Sequence, residues 1–470
     1  MNSHNKQRPF GIQDKLGYMF GDFGNDFTFI FASSYLMVFY TKVLGISGSL
    51  VGTLFLLARF VDAFTDIGMG RIIDKCRPAK DGRFRSWIRR MTIPVAVANS
   101  LMYLYFFRDF PYEVRVVYMF VTYILWGSIC YTGINIPYGS MASAISEDAG
   151  DRASLSTFRT VGSSLASLVI GMITPLIVYT ADADGNQVAI PERFTLIAIV
   201  FSILAILCYF LCYKMCLERV QVVQKENDNK KQENFFATAK NLLKNRSLLA
   251  IIGAALLLLL ASILSNTMNS YLFLDYFKNT KALSMATFIS VAGMLACAPF
   301  ASKFAAKFGK KESGAVAILG AGIIYIAMFV LKIKSIPVFM FLMLLGYIGM
   351  GFFNMVIWAF ITDVIDALEV ETGNRDDGTV YAIYSFARKL GQAFAGGIGG
   401  FALTAIGYVT STTAVVQSES TVNGIYTIAT LVPGICFVGV AIIMIFIYPL
   451  SKKKVQENIE ELRKRRGAVR

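Results

Sequence analysis

Asp62 and Asp66 stand four residues apart at the end of the apolar run Leu54 to Asp66, which also holds Arg59. At i, i+4 both carboxylates project from one face of a helix. Arg59, three residues before Asp62, adds a positive charge to that face. A charge near the bilayer centre costs about 2.5–3.5 kcal/mol or more on insertion scales. A span that keeps three such charges needs a watery cavity to face, and the chemistry they offer is the binding of a cation or a proton. Carboxylates this close would titrate as a pair.

Other polar residues recur inside apolar runs. Asp22 and Asp26 repeat the i, i+4 spacing near the start of the chain. Asp22 lies in the first turns, where an interfacial or capping role is as open as a functional one. Asp26 is deeper and is expected at a site. Gly17, Gly21 and Gly24 allow close helix approach, and packing is sufficient to explain them. In the run Tyr131–Tyr138, Pro137 frees a backbone carbonyl and can kink the helix. Thr132 and Asn135 offer neutral oxygens there, for a cation, for sugar hydroxyls or for packing hydrogen bonds. Arg159 either faces a ligand or snorkels to the interface. Arg388 and Lys389 sit well inside an apolar run; neighbours on a helix differ by about 100°, so they point different ways. One faces the interior, and Lys389 can pair with Asp62 or Asp66. Tyr381, Tyr384 and Ser385 precede that pair. Tyr138, Phe27 and Trp358 are candidate aromatic platforms, although aromatics in spans more often pack or anchor at the interface.

The elements that must position these residues are membrane helices. The chain has 470 residues, 55% hydrophobic and only 16% charged, against roughly 25% charged in soluble domains. The net charge of +14 does not point to nucleic acid. Its basic residues cluster in short segments between apolar runs, the positive-inside pattern. Cys208, Cys212 and Cys216 share a helix face but have no second Cys or His cluster beside them, and read as small buried residues. His4 is the only histidine, which argues against a His triad or a His metal site. No catalytic residues and no cofactor are expected. The polar start, Met1 to Lys15, has no apolar signal core, so the first span should direct insertion.

A span needs about 20 apolar residues. Twelve follow from that rule: Leu16–Val43, Ser49–Ile73, Ile88–Phe107, Val116–Ile145, Leu155–Tyr179, Phe194–Met215, Leu248–Phe277, Ala282–Phe308, Gly314–Leu331, Pro337–Ile365, Thr379–Ile406 and Ile425–Tyr448. The fold class is therefore an all-α membrane protein. An amino-terminal six-helix bundle over 1–215 is followed by a cytoplasmic linker over 216–246. A carboxy-terminal six-helix bundle over 247–450 and a cytoplasmic tail over 451–470 complete the chain. Twelve spans put the Lys- and Arg-rich loops on one side, with both termini cytoplasmic. Two bundles around a central cavity is a transporter arrangement. A channel would need its charges repeated in a ring, and a membrane hydrolase would need a nucleophile beside a base; neither is present.

The loop Gly70-Arg-Ile-Ile-Asp-Lys with Gly82-Arg-Phe-Arg resembles the signature loop of the major facilitator superfamily. Its weaker counterpart after the eighth span is Ser302-Lys-Phe-Ala-Ala-Lys-Phe-Gly-Lys-Lys. More specifically, Gly24-Asn-Asp-Phe, Ala58-Arg-Phe-Val-Asp-Ala-Phe-Thr-Asp with Met69-Gly70, Asn135-Ile-Pro, Lys389-Leu-Gly-Gln and Thr362-Asp-Val-Ile-Asp resemble the glycoside–pentoside–hexuronide:cation symporters. The resemblance covers nearly the whole chain. It implies a secondary transporter in the plasma (inner) membrane that couples sugar entry to protons or sodium and works as a monomer. It implies that Asp62 and Asp66 bind the cation, as metal ligands if the ion is sodium, with Thr132 as a further oxygen, that Asp26 and Arg159 lie at sugar-binding positions, and that Lys389 lies near the cation site. Beside these, the residues themselves offer Thr65 as a further cation candidate, Asn135, Tyr131, Tyr138, Tyr384, Trp358 and Lys389 as substrate candidates, and Arg59 and Lys389 as coupling charges. Three positions depart from the family pattern. Asn135 stands for a sugar-contacting aspartate, Thr65 for an asparagine at the cation site, and Asn25 for a lysine. With fewer acids and the extra Arg388, an anionic hexuronide is expected, with a neutral pentoside kept open; the altered cation shell leans to protons. A lysolipid carrier of the same architecture is the alternative function.

Overall fold

The computed structural model describes residues 8–76, 78–79, 81–220, 245–373, 377–412 and 415–467. Arg77, Lys80, most of the 216–246 linker and Asn374–Asp376 lie outside the described residues. In hydrocarbon, every backbone N–H and C=O must be satisfied within the segment, and the apolar runs accordingly fold as helices. They are α1 Ile12–Val38, α2 Gly48–Lys75, α3 Phe84–Leu101, α4 Tyr112–Ile124 and α5 Thr132–Ile145. A π-turn, Leu125–Tyr131, joins the last two into one span. Next come α6 Ala149–Val178, α7 Pro191–Met215 and α8 Arg246–Tyr271. The eighth span is broken at Cys297 into α9 Thr280–Ala296 and α10 Ala298–Phe308. Then follow α11 Lys310–Leu331, α12 Ile336–Thr372, α13 Asp377–Ala405, α14 Glu419–Ile442 and the tail helix α15 Lys452–Gly467.

Helices thus stand at all twelve places where the sequence demands a span. Among the described residues, seven are long and apolar enough to cross a membrane by length and composition alone. The charge-bearing α1, α2 and α13 are not among them; they are the helices that carry Asp22, Asp26, Asp62, Asp66, Arg388 and Lys389. The one sheet among the described residues is a hairpin, with β1 Tyr179–Ala181 antiparallel to β2 Gln187–Ala189. Asp182 closes its turn by accepting the backbone N–H of Asp184 at 3.0 Å and of Asn186 at 2.7 Å.

The chain divides into two compact units. One comprises Met1–Lys225, Lys278–Thr287 and Tyr408–Gln417; the other comprises Glu226–Phe277, Phe288–Gly407 and Ser418–Arg470. In the first unit, α1 packs antiparallel to α7 through small residues. A Cβ on Gly24 would lie 3.1 Å from Cys208 Cβ, one on Gly21 2.9 Å from Cys212 Sγ, and one on Gly17 2.9 Å from Cys216 Sγ. The glycine stripe and the cysteine stripe are two sides of one seam. The core of the second unit gathers Ile251 and Leu258 of α8, Phe353, Phe360 and Ile361 of α12, and Phe437 and Val440 of α14.

The two units share a device at the start of their third and ninth spans. In the first, Gly82 adopts φ 114° just before α3. The Glu218 carboxylate, from the segment leaving α7, accepts the N–H groups of Arg83, Phe84 and Arg85 at 2.8, 2.9 and 2.7 Å. Arg85 donates back to the Tyr213 carbonyl at 2.7 Å. In the second, Gly309 adopts φ 101° just before α11. Glu312 accepts the Lys452 N–H at 3.1 Å, and Lys311 donates to the Tyr448 carbonyl at 2.6 Å. In each unit the segment leaving the last helix is fastened to the glycine-started helix. Beside the first clasp, fully buried Asp14 is held by Arg219 at 2.9 and 3.1 Å and by Arg8 at 2.8 Å, as a buried carboxylate requires.

Candidate functional site

Two parallel spans of the first unit build the acidic centre. On α2, Asp62 and Asp66 share a face, and on the second span the facing residues are hydroxyls with the same four-residue spacing. Ser128 Oγ donates to Asp62 Oδ1 at 2.6 Å, and Thr132 Oγ1 donates to Asp66 Oδ1 at 3.0 Å. Each α-helical rung rises about 6 Å over four residues, so two equal spacings align on helices running the same way. The π-turn lies at this point, and Thr132 Oγ1 also reaches the Gly127 carbonyl at 3.3 Å, the i−5 group that π geometry brings into range. Arg59 Nη1 lies 3.6 Å from Asp62 Oδ2. The Arg59 guanidinium covers the Phe29 ring at 5.4 Å, and Phe29 stacks on Tyr131 at 5.4 Å. Thr65 donates to the Asp62 carbonyl at 3.1 Å, so its oxygen lies beside the pair while its proton serves the helix. Among the described residues, no three His, Cys, Asp or Glu side chains form a metal-binding group. The oxygens around the acid pair include the hydroxyls of Ser128 and Thr132.

A second polar centre lies between α1, α5 and α6. Arg159 Nε donates to Asp22 Oδ1 at 2.9 Å. Its guanidinium covers the Tyr138 ring at 5.4 Å, and Tyr138 stacks on Tyr18 at 4.6 Å. Tyr138 is itself fully buried and donates its hydroxyl to the Tyr18 carbonyl at 2.7 Å; with Tyr18 stacked on its ring and Arg159 over it, it positions the guanidinium and is no open platform for a sugar. Asp26, one turn beyond Asp22, is 8% exposed. Its Oδ2 is buried without a hydrogen-bond partner, and Ser163 stands beside the carboxylate. Asn25 is tied down by the Tyr209 hydroxyl at 2.8 Å. Asn135 and Tyr131 are half-buried on the same span.

In the second unit, Trp358 and Tyr384 meet edge to face at 5.4 Å. Arg388 lies 5.1 Å from the Trp358 ring centre and 3.4 Å from the Tyr384 hydroxyl. Lys389 is exposed on α13. The side chains of Tyr381 and Ser385 lie outside the described residues.

Two open readings close, and one residue was missed. Asp22 is neither interfacial nor a cap: it is buried and it is the partner of Arg159. Phe27 is no platform, because it is buried against Phe23 and Phe201. Ser128 went unremarked in the sequence, where a serine in an apolar helix is unexceptional; its spacing of four from Thr132 was the available signal.

The comparisons give the family and the fold. Residues 17–452 match the family model described as MFS/sugar transport protein. The chain is 31% identical over 456 residues to the glucuronide carrier protein homolog of Escherichia coli strain K12, covering 96% of this chain and 95% of that one. It is 28% identical to the isoprimeverose transporter of Lactiplantibacillus pentosus, covering 93% of this chain and 89% of that one. Among solved structures, the inward-open xylose transporter XylE from E. coli aligns with TM-score 0.61 at 14% identity, over 96% of this chain and 98% of that one. A D-xylose-proton symporter aligns with TM-score 0.63 at 15% identity, over 93% and 97%. Those structures establish the fold. The chain belongs to the MFS/sugar transport family, in its branch of glycoside–pentoside–hexuronide symporters, and is a multi-pass membrane transporter rather than an enzyme.

Proposed function

We propose that the protein couples the entry of a cation, a proton or sodium, to the uptake of a sugar across the inner membrane by alternating access, working as a monomer with both termini in the cytoplasm. The substrate class is a glycoside, pentoside or hexuronide. Relatives named for glucuronide and for isoprimeverose support that range. The observation that carries the reading is the paired carboxylate centre: Asp66 takes a hydrogen bond from Thr132, and Asp62 has Arg59 as its counter-charge. The same unit holds a buried carboxylate oxygen of Asp26 that has no hydrogen-bond partner.

In this reading Asp62, Asp66, Thr132 and Thr65 hold the ion, and Arg59 limits the negative charge that the ion must neutralise. Asp26 accepts sugar hydroxyls, Arg159 and Asn135 donate to the sugar, Tyr131 presents a ring face to it, and Tyr138 serves by positioning Arg159. Trp358, Tyr384 and Lys389 serve the substrate from the second unit, and Lys389 adds a coupling charge. With the ion bound, the acid pair can be closed off from water at lower cost. Sugar without ion would leave that charge to be buried, so the two ligands share one coupling free energy, typically about 1–3 kcal/mol. The test is Asp66→Cys in proteoliposomes. Loss of uphill sugar uptake with the protein still folded and inserted is expected; full uphill uptake contradicts the assignment.

A further inference from the structure

Serines and threonines in these helices mostly spend their protons at home. Thr92 donates to the Ile88 carbonyl at 2.7 Å, Thr122 to Tyr118 at 2.8 Å and Ser262 to Leu258 at 2.8 Å. That is the ordinary fate of a hydroxyl in an apolar helix. Ser128 is different. It is 2% exposed, and its bond crosses to another helix and ends on the Asp62 carboxylate at 2.6 Å.

Ser128 sits within the π-turn Leu125–Tyr131, one of four π segments among the described residues. Such segments occur frequently at functional sites. A Cβ added at the neighbouring Gly127 would stand 3.9 Å from Asp62 Oδ1, an ordinary contact distance. Ser128 and Thr132 then face Asp62 and Asp66 one to one.

We infer that Ser128 is an ion-specificity-determining residue of the acid pair, setting the Asp62 carboxylate in the empty site and turning its oxygen toward a bound monovalent cation. A hydroxyl can exchange these roles by rotating its proton, since it carries one donor and two acceptor lone pairs. Oxygen count and geometry around a hard cation govern which ion is held. The inference rests on the ion-site reading of Asp62 and Asp66.

The experiment uses the full chain in proteoliposomes and compares wild type, Ser128→Ala, Ser128→Thr and Asp66→Asn. Sugar uptake is titrated with sodium, lithium and protons in turn. Ser128→Ala should raise the half-saturating concentration of the driving ion by about tenfold, the scale seen when a metal ligand's supporting group is lost. It should also change the preference among the three ions, while the sugar KM at saturating ion stays within about twofold of wild type on the same reasoning. Ser128→Thr keeps the hydroxyl and should restore the wild-type order of ions. A merely structural serine would lower the melting temperature without reordering the ions. Unchanged half-saturation and ion order in Ser128→Ala, with Asp66→Asn uncoupled, overturns the role of Ser128 alone. Unchanged coupling in Asp66→Asn overturns the ion-site reading itself.

Discussion

Arg159 is held by Asp22, with Nε 2.9 Å from Oδ1, while Asp26 one turn deeper keeps a buried oxygen without a hydrogen-bond partner. Two carboxylates on one helix thus have different work. Asp22 orients the guanidinium over Tyr138, and in the proposed reading Asp26 is the carboxylate that accepts a ligand.

The division is testable by neutralising each in turn. Asp26→Asn should abolish sugar binding and leave the melting temperature of the purified protein unchanged or raised, because a buried charge with an unsatisfied oxygen is removed. Asp22→Asn should lower the melting temperature, because it leaves a partly buried Arg159 without its counter-charge. Thermal melts with and without sugar read both effects. The reverse ranking of the two variants in stability would reject the division.

The glycine–cysteine seam predicts a steric threshold. A Cβ on Gly21 would lie 2.3 Å from Tyr138 Cε2 and 2.9 Å from Cys212 Sγ. Gly21→Ala should therefore destabilise by about 1–3 kcal/mol, as overpacking does, and weaken sugar affinity by displacing the ring under Arg159. Cys212→Ala would relieve only the second clash. Chemical denaturation of the single and double variants should show incomplete rescue.

The clasp at the start of α3 predicts a stability defect without a specificity defect. Glu218→Ala leaves three part-buried backbone N–H groups at the start of α3 without their acceptor; a fully buried orphan costs about 1–3 kcal/mol, and groups that water can reach cost less. Glu218→Gln keeps one acceptor oxygen and should recover part of the loss. The sugar KM and ion preference of either variant, measured on the folded fraction, should match wild type.

Much of this was legible in the residues. Asp62 and Asp66 stood out because charges in an apolar run are energetically conspicuous, and their common face follows from helical spacing alone. The twelve helices were legible because a bilayer leaves the backbone few alternatives. The pairing of elements was not. Gly17, Gly21 and Gly24 read as a packing stripe and Cys208, Cys212 and Cys216 as another, yet nothing in either run says that they meet. Depth along a span likewise does not name a partner, so Asp22 stayed open between an interfacial or capping role and a functional one, although Arg159, 137 residues away, pairs with it. Ser128 was hidden for a third reason. A π-turn departs from the 3.6-residue period by which apolar faces are recognised.

The central claim is that ion and sugar bind to coupled sites, and equilibrium calorimetry on the purified protein tests it most directly. Sugar Kd is measured with and without saturating cation, and cation Kd with and without saturating sugar. The account predicts that each ligand tightens the other by the same factor, between about 5-fold and 150-fold, because coupling free energy is reciprocal. Independent binding, with a factor of one in both directions, would contradict it.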